Sequence, residues 1–476
     1  MPHTLRRVIN AKQYFTLVFG GVVGVAWMII LGNLVAQAGP VGMVLALIAG
    51  MLCIMPVALC YAEIAALIPT AGGEIVYAHE IFGTTASFLA GWTLILLYLS
   101  TCVFEAISLG WLFNLLIPGI RGPVLYEMFG QEIYLGGLII GIAATLILSA
   151  INIMGAHATA RLQELLTYFR LAMMVLIIAT GMLGGNTENL QPIFRPVEDS
   201  STWIGIFGVL ITVPFWYAGF SVFASAMEEK ASATSLRQVV GAVLGAIVAA
   251  ATFYCLLVIA ISSLMPWQEM AALELPTATV FQVALQSETM MRIVLVTAIL
   301  GNITAWNALF MACSRVLFAL GRSHIIMPKF SHIHPRHRTP AFAIVCITIV
   351  TVVGSFLGQG FIIPIVNVSA IGFSLIYAMT CMAVIRVRKS RPHQARPFAI
   401  PGGMTMAWFG VAASLLIMVI AIVQPFMAQK VTGVPTEWIV AAGWSVLGVI
   451  VWYGSRNIRQ LLPESERRAL LLGSEY

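Results

Sequence analysis

Charge is scarce in this chain. Asp, Glu, Lys and Arg make up 9% of its 476 residues, against about 25% in an ordinary soluble domain. There is a single aspartate, Asp199. Sulfur chemistry is equally thin. The seven cysteines (Cys53, Cys60, Cys102, Cys255, Cys313, Cys346 and Cys381) all fall in apolar runs with no CxxC. They read as small buried hydrophobes, neither disulfides nor thiolate ligands. A zinc-protease motif is missing too. His79-Glu80 starts like HExxH but runs into Phe82-Gly83, and all eight histidines lie in terminal or loop segments. Without a reactive constellation at depth beyond Glu105, the chain points away from an enzyme, and no metal or other cofactor is expected. No low-complexity linker divides it, so one membrane domain is expected.

Apolar length is what the chain has. Hydrophobic residues reach 60% and the mean hydropathy is +0.95. Twelve runs have membrane length: 14–37, 40–66, 84–117, 135–155, 160–184, 203–227, 237–265, 289–320, 341–359, 361–385, 405–427 and 436–454. The first is too long for a signal-peptide core and is kept as a span. The net charge of +6 would suit nucleic acid, but its distribution does not. With the N-terminus inside, nineteen of the 25 Lys and Arg fall in cytoplasmic segments. Arg6, Arg7, Lys12, Arg322, Lys329, Arg388 and Arg396 are among them. Only Arg121, Arg195, Arg292 and Lys430 fall outside, and Arg170 and Arg315 lie within spans. This bias predicts both termini in the cytoplasm of a plasma (inner) membrane protein. The partner it implies is the lipid bilayer, not nucleic acid. The tail from Arg456 is amphipathic and is expected on the inner membrane face.

Two spans are interrupted at corresponding places of two five-span halves. One break runs from Gly20 through Gly24, Val25 and Ala26 to Trp27. The other runs from Pro214 through Phe215, Trp216 and Tyr217 to Phe220 and Ser221. Unwound backbone at membrane depth is tolerated only where protein or a watery cavity satisfies its polar groups. A matched pair of broken spans is the best sequence pointer to the binding site of a secondary transporter. A channel would instead need a continuous polar pore or a filter ring. A transporter-like sensor remains a remote alternative, with no signalling domain to favour it.

Several motifs then carry a resemblance. Ser314-Arg315-Val316-Leu317-Phe318-Ala319-Leu320-Gly321-Arg322 is followed by Met327-Pro328-Lys329-Phe330 and by His334 to Pro340. Tyr61-Ala62-Glu63 precedes Ile68-Pro69-Thr70-Ala71-Gly72-Gly73, and Gly219-Phe220 precedes Ala226-Met227-Glu228-Glu229. In this order they resemble the amino acid–polyamine–organocation permeases, from about residue 14 to 400. The final two spans match in hydropathy only. The resemblance implies an all-α integral membrane protein of about twelve helices with a LeuT-like fold. Spans one to five and six to ten would form inverted repeats, helices 1 and 6 would be broken, and two helices would be added at the end. The expected division is an N-terminus over 1–13, a ten-helix core over 14–385, a loop over 386–404, two accessory helices over 405–454 and a tail over 455–476. It also implies alternating access around a site between spans one, three, six and eight.

The candidate substrate residues follow. Free N–H groups at the break of span one favour a carboxylate. Relatives carry Gly-x-x-x-Gly-x-Gly there; this chain has Gly20, Gly24 and then Ala26, with Val25 before it and Trp27 after. Trp27 either faces the site or packs between helices. Phe215, Trp216 and Tyr217 line the second break, and by resemblance Phe220 sits near a gating aromatic. Trp306 and Tyr98 could add walls. Aromatic faces suit an ammonium, worth about 2 kcal/mol when desolvated, although most aromatics of such a chain pack between helices. Glu105 is the only acid near the centre of a span, and such a residue is a functional candidate by default. It could bind a substrate ammonium, carry a proton or neutralise Arg170. Glu63, Glu228 and Glu229 are expected to tie down cytoplasmic loops.

Arg170 falls where many relatives carry a lysine on span five, in space that sodium-coupled members give to sodium. Arginine imitates a bound cation but holds its proton, so neither sodium coupling nor proton coupling through this position is expected. The plainer reading, that Arg170 bridges spans one, five and eight, also excludes sodium. On span eight, Asn302, Thr304, Trp306 and Asn307 could line the site or bond across helices. The expectation is a permease for a small amino compound. A cationic amine, polyamine, amino alcohol or cationic amino acid is favoured, with a neutral zwitterionic amino acid as the alternative.

Overall fold

The computed structural model describes residues 7–70, 72–128, 130–196, 203–270, 272–273, 275–428 and 436–472. Arg6, Ala71, Asp199, Lys430 and the last four residues lie outside the described residues.

Long apolar runs without polar periodicity satisfy their backbone internally and expose side chains all round, which makes them helices that lipid can accept. Among the described residues ten helices are long and apolar enough to cross a membrane. They are Ala11–Ile29, Pro40–Leu67, Thr84–Leu116, Leu135–Met154, Ala158–Gly184, Leu236–Leu264, Glu288–Arg322, Gln359–Ser390, Gly403–Val423 and Thr436–Gly454. Two expected spans depart from that form. The ninth, Ala341–Ser355, has 15 residues, short of the roughly 20 a perpendicular crossing uses. The sixth is a series of pieces: Trp203–Leu210, Val213–Trp216, the 3-10 turn Ala218–Ser221 and Val222–Ser225. The chain is thus an all-α bundle of membrane-length helices, with one small addition that helical periodicity did not announce. Val124–Met128 and Gln131–Tyr134 form an antiparallel hairpin between the third and fourth spans.

The first span is broken as well. Ala11–Val22 ends, Val23 to Val25 bend, and Ala26–Ile29 and Leu31–Ala38 continue. Asn10 and Gln13 close a reciprocal capping box at its start, each side chain bonding the other's backbone N–H at 3.0 Å. The first, third and eighth spans are buried over most of their length, whereas the fourth, fifth and twelfth face mostly outward. The two breaks therefore lie inside the bundle, walled by spans three and eight.

The face that carries the Lys- and Arg-rich loops is knitted together. Val8 and Ile9 donate their N–H groups to the Glu229 carbonyl at 2.8 and 2.9 Å. The Tyr14 hydroxyl donates to the Ala226 carbonyl at 2.8 Å. Arg315 and Glu229 form a wholly buried ion pair at 2.8 Å, and Arg322 reaches Glu228 at 3.4 Å. Glu63 takes Arg388 and Arg396. All three glutamates tie down span ends and loops, as their places in the sequence suggest. Part of the tail's apolar side packs on the protein itself, while Leu461 stays exposed. Leu471 and Arg467 are buried, Arg467 donates to the Ser323 carbonyl at 3.2 Å, and Arg468 pairs with Glu80.

Candidate functional site

The break of span one frees carbonyls that a continuous helix would use, and side chains from two other spans meet them. The Tyr254 hydroxyl on span seven donates to the Val22 carbonyl at 2.8 Å. Arg170 on span five donates through Nη1 to the Val23 carbonyl and, at 2.9 Å, to the Thr304 hydroxyl on span eight. Its guanidinium also lies 5.4 Å from the Phe19 ring centroid. A backbone carbonyl and a hydroxyl are hard oxygen ligands, the kind an alkali cation would take. Arg170 bridges spans one, five and eight through them, while its Nε and Nη2 have no partner within the protein.

Glu105 on span three approaches the same break from another side. A Cβ built on Gly24 would lie 2.9 Å from its Oε1 and 3.0 Å from the Ala305 Cβ, so glycine is what admits the carboxyl. The Glu105 backbone carbonyl accepts from Asn302 Nδ2 at 2.8 Å. Its Oε2 is buried and has no partner within the protein. Among the described residues no ion pair within 4.0 Å joins Glu105 to Arg170, whose hydrogen bonds go to Val23 and Thr304, although the two charges attract one another through space.

The aromatic residues divide into two groups. Trp27 meets Phe253 edge-on at 5.6 Å, and Phe253 adjoins Tyr254 at 5.7 Å. Trp216 and Tyr217 then meet Tyr254 edge-on at 4.8 and 6.3 Å. Rings thus run from the first break to the second by way of span seven. Trp27 packs against a neighbouring span, but its indole N–H, like those of Trp216 and Trp306, is buried without a partner. Phe215 meets Phe104, next to Glu105, at 5.6 Å. Phe220 stands in a different cluster, 5.2 Å from both Tyr61 and Tyr377. Val25, Ala26, Trp27, Phe215, Trp216, Tyr217, Phe220 and Trp306 are all buried.

The polar residues of span eight act across helices. Asn307 donates to Gln163 Oε1 at 3.0 Å and accepts from Asn152 at 3.1 Å, and Gln163 donates to the Thr16 carbonyl at 3.3 Å. Gly20 belongs to this bond network, since a Cβ there would stand 2.0 Å from Gln163 Nε2. Tyr254 and Gln163 were not singled out from the sequence. A lone Tyr or Gln in an apolar run has no signal of its own; only the opposing break gives it a role.

The comparisons with known proteins agree with this architecture. The sequence pattern of the family described as amino acid permease matches residues 9–452. The branched-chain amino acid permease BcaP of Bacillus subtilis (strain 168) is 25% identical over 407 residues, covering 84% of each chain. The methylthioribose transporter of the same organism is 26% identical over 409 residues, covering 84% of this chain and 85% of its own. Cationic amino acid transporter 7, chloroplastic, of Arabidopsis thaliana is 24% identical over 460 residues, 94% of this chain and 75% of its own.

Proposed function

The chain belongs to the amino acid permease family, and from that premise we propose that it carries a small ammonium-bearing solute by alternating access, a cationic amine or cationic amino acid in preference to a neutral one. The observation that carries this reading is the Glu105 carboxyl. It is buried against the span-one break, its Oε2 has no partner, and Arg170 is engaged elsewhere. A buried carboxylate that Arg170 compensates only from a distance is costly. A substrate ammonium arriving at the break supplies the missing charge and hydrogen bonds. Trp216 and Tyr217 provide ring faces near the same break, and Phe220 closes the path on the basic side. The N–H groups of Val25 and Ala26 receive a carboxylate where the solute has one.

Arg170 takes the place of a coupling cation, bonded to a freed carbonyl of span one and a hydroxyl of span eight. Transport is therefore independent of sodium. The concentration of Lys and Arg on one face supports a cytoplasmic setting for that face, in a plasma or inner membrane.

A neutral zwitterionic cargo is the second reading, favoured by the 25% identity to a permease named for branched-chain amino acids. The test is a thermal-shift screen of the purified protein against amines and amino acids, repeated on Glu105→Gln. Stabilisation by amines or cationic amino acids that disappears in the variant supports the ammonium reading. Stabilisation by a neutral amino acid that survives the variant transfers the assignment to the zwitterion.

A further inference from the structure

A second buried carboxylate lies away from this site, on the basic face. Glu74 opens the helix Glu74–Phe82, which joins the second and third spans, and it is wholly buried. Neither of its carboxyl oxygens has a hydrogen-bond partner. The groups that act on it come from several elements: the hydroxyls of Tyr61 on span two and Ser221 on the broken span six. It acts in turn on Tyr98 of span three, Tyr377 of span ten and Tyr77 of its own helix. The hydroxyls of Tyr61, Tyr77 and Tyr377 are themselves buried without partners, and Tyr98 stands 3.5 Å from Ser221.

The charged groups on the surrounding elements are committed elsewhere. Glu63 holds Arg388 and Arg396, Glu229 holds Arg315, and Glu228 holds Arg322. On its own helix, His79 faces Glu464, and Glu80 holds Arg391 and Arg468. Among the described residues no Lys, Arg or His stands within ion-pair distance of Glu74. An ionised carboxylate in such surroundings lacks a countercharge and has only the weak donors of its own N–H, Tyr61 and Ser221, and proteins resolve that conflict by binding a proton.

The nest is also part of the gate. Tyr61, Phe220 and Tyr377 pack on one another, with centroids 5.2 to 6.1 Å apart. Phe220 and Ser221 are neighbours on the unwound stretch of span six, and Gly73 lies against the backbone of Ala224 and Ser225. Any motion that draws the inner half of span six away must uncover Glu74.

We propose that Glu74 is a proton-binding site of the gate on the basic face, protonated while span six lies against it and deprotonated to water when that gate opens. The orientation proposed above makes that water cytoplasmic. The step is a simple dissociation: the carboxylic acid O–H breaks, the carboxylate keeps the electron pair, and water takes the proton. Burial pushes Glu74 from 4.5 up to about 7, against the lowering pull of its own helix N–H and of Tyr61 and Ser221. The closed gate is thus the state of raised affinity for the proton. Its advantage is complete below the ordinary carboxyl range and is lost as pH rises through about 7. Cytoplasmic acid holds the gate shut, and alkali releases it.

Two readouts on the full-length protein in nanodiscs test this without any substrate. Infrared difference spectra should show a carboxylic acid C=O band that titrates away with a midpoint near 7 and is lost in Glu74→Gln. Hydrogen exchange of residues 218–229, corrected for the intrinsic pH dependence, should rise with pH in the wild type. In Glu74→Gln it should stay low at every pH. Glu74→Asp should keep a titrating band, and Tyr61→Phe, which removes a lowering hydroxyl, should raise the midpoint. The same band and the same exchange profile in Glu74→Gln as in the wild type would overturn the proposal. So would a midpoint unmoved in Tyr61→Phe. Neither result bears on Glu105 or on the cargo.

Discussion

Gly219 lies directly on the backbone of Gly21. A Cβ built on Gly219 would stand 2.0 Å from the Gly21 carbonyl carbon and 2.5 Å from the Val22 nitrogen. The two broken spans therefore touch main chain to main chain, where only hydrogen fits, and neither break can shift without the other. This contact joins the two halves at the level where Arg170 and Tyr254 satisfy the freed carbonyls.

Gly219→Ala should consequently be damaging. The backbone it meets cannot rotate away as a side chain would, and overpacking of this kind costs about 1–3 kcal/mol. A drop in melting temperature together with loss of uptake is expected. Gly241→Ala serves as the control, because a Cβ there meets nothing within 4 Å. It should leave both unchanged or slightly raise stability, since alanine is the better helix former by about 1 kcal/mol.

Replacing sodium by potassium or a bulky organic cation should leave wild-type uptake unchanged, since Arg170 already occupies the carbonyl and hydroxyl partners of Val23 and Thr304. Arg170→Lys keeps the charge but allows proton release. Its uptake should become pH-dependent where the wild type shows no pH effect traceable to this position. Sodium-stimulated uptake by the wild type would refute the reading.

Breaking the Arg315–Glu229 pair from one side leaves a buried charge alone. Arg315→Met is expected to destabilise by about 3–5 kcal/mol, seen as a large fall in melting temperature. Adding Glu229→Gln to it should recover much of the loss. A double variant no better than the single one would mean that the pair is not coupled.

The tail is held through Glu80. Burial pushes this carboxyl up, but hydrogen bonds and charges from Arg468 and Arg391 outweigh it and hold Glu80 below the usual range. Such a group stabilises docking above the ordinary carboxyl pKa, and the contribution is lost as pH falls through the depressed value. At neutral pH Glu80→Gln should speed hydrogen exchange in residues 464–472. Wild-type protein should show the same release only in strong acid.

Tyr254→Phe removes the donor to the Val22 carbonyl while keeping the ring that Trp216 meets. A carbonyl left short of its partner costs about 1–3 kcal/mol. Weaker binding of any stabilising ligand, with the fold retained, is the expected result in the thermal-shift screen.

The spans were legible because lipid imposes a local rule. A run such as 237–265 must be apolar along its whole length, and the observed Leu236–Leu264 helix departs from it by one residue at each end. The breaks were legible for the same reason, since Gly24 and Pro214 interrupt runs that should otherwise be continuous. So was the strangeness of Glu105 and Arg170, each a charge where charge is costly. Partnership was not legible, because it depends on spans far apart in the chain. Sequence left Arg170 free to neutralise Glu105, and the folded chain sends its hydrogen bonds to Val23 and Thr304 while the two charges interact only through space. Trp27, readable as a wall of the site, packs on Phe253, while Tyr254 and Gln163, ordinary in sequence, hold the break together. Nothing in the sequence singled out Glu74, around which Tyr61, Ser221 and Tyr377 close only in the folded chain. Hydropathy along one segment is fixed by its own residues and the solvent it must enter. The partner of a buried polar group is chosen by helix packing, which no single segment encodes.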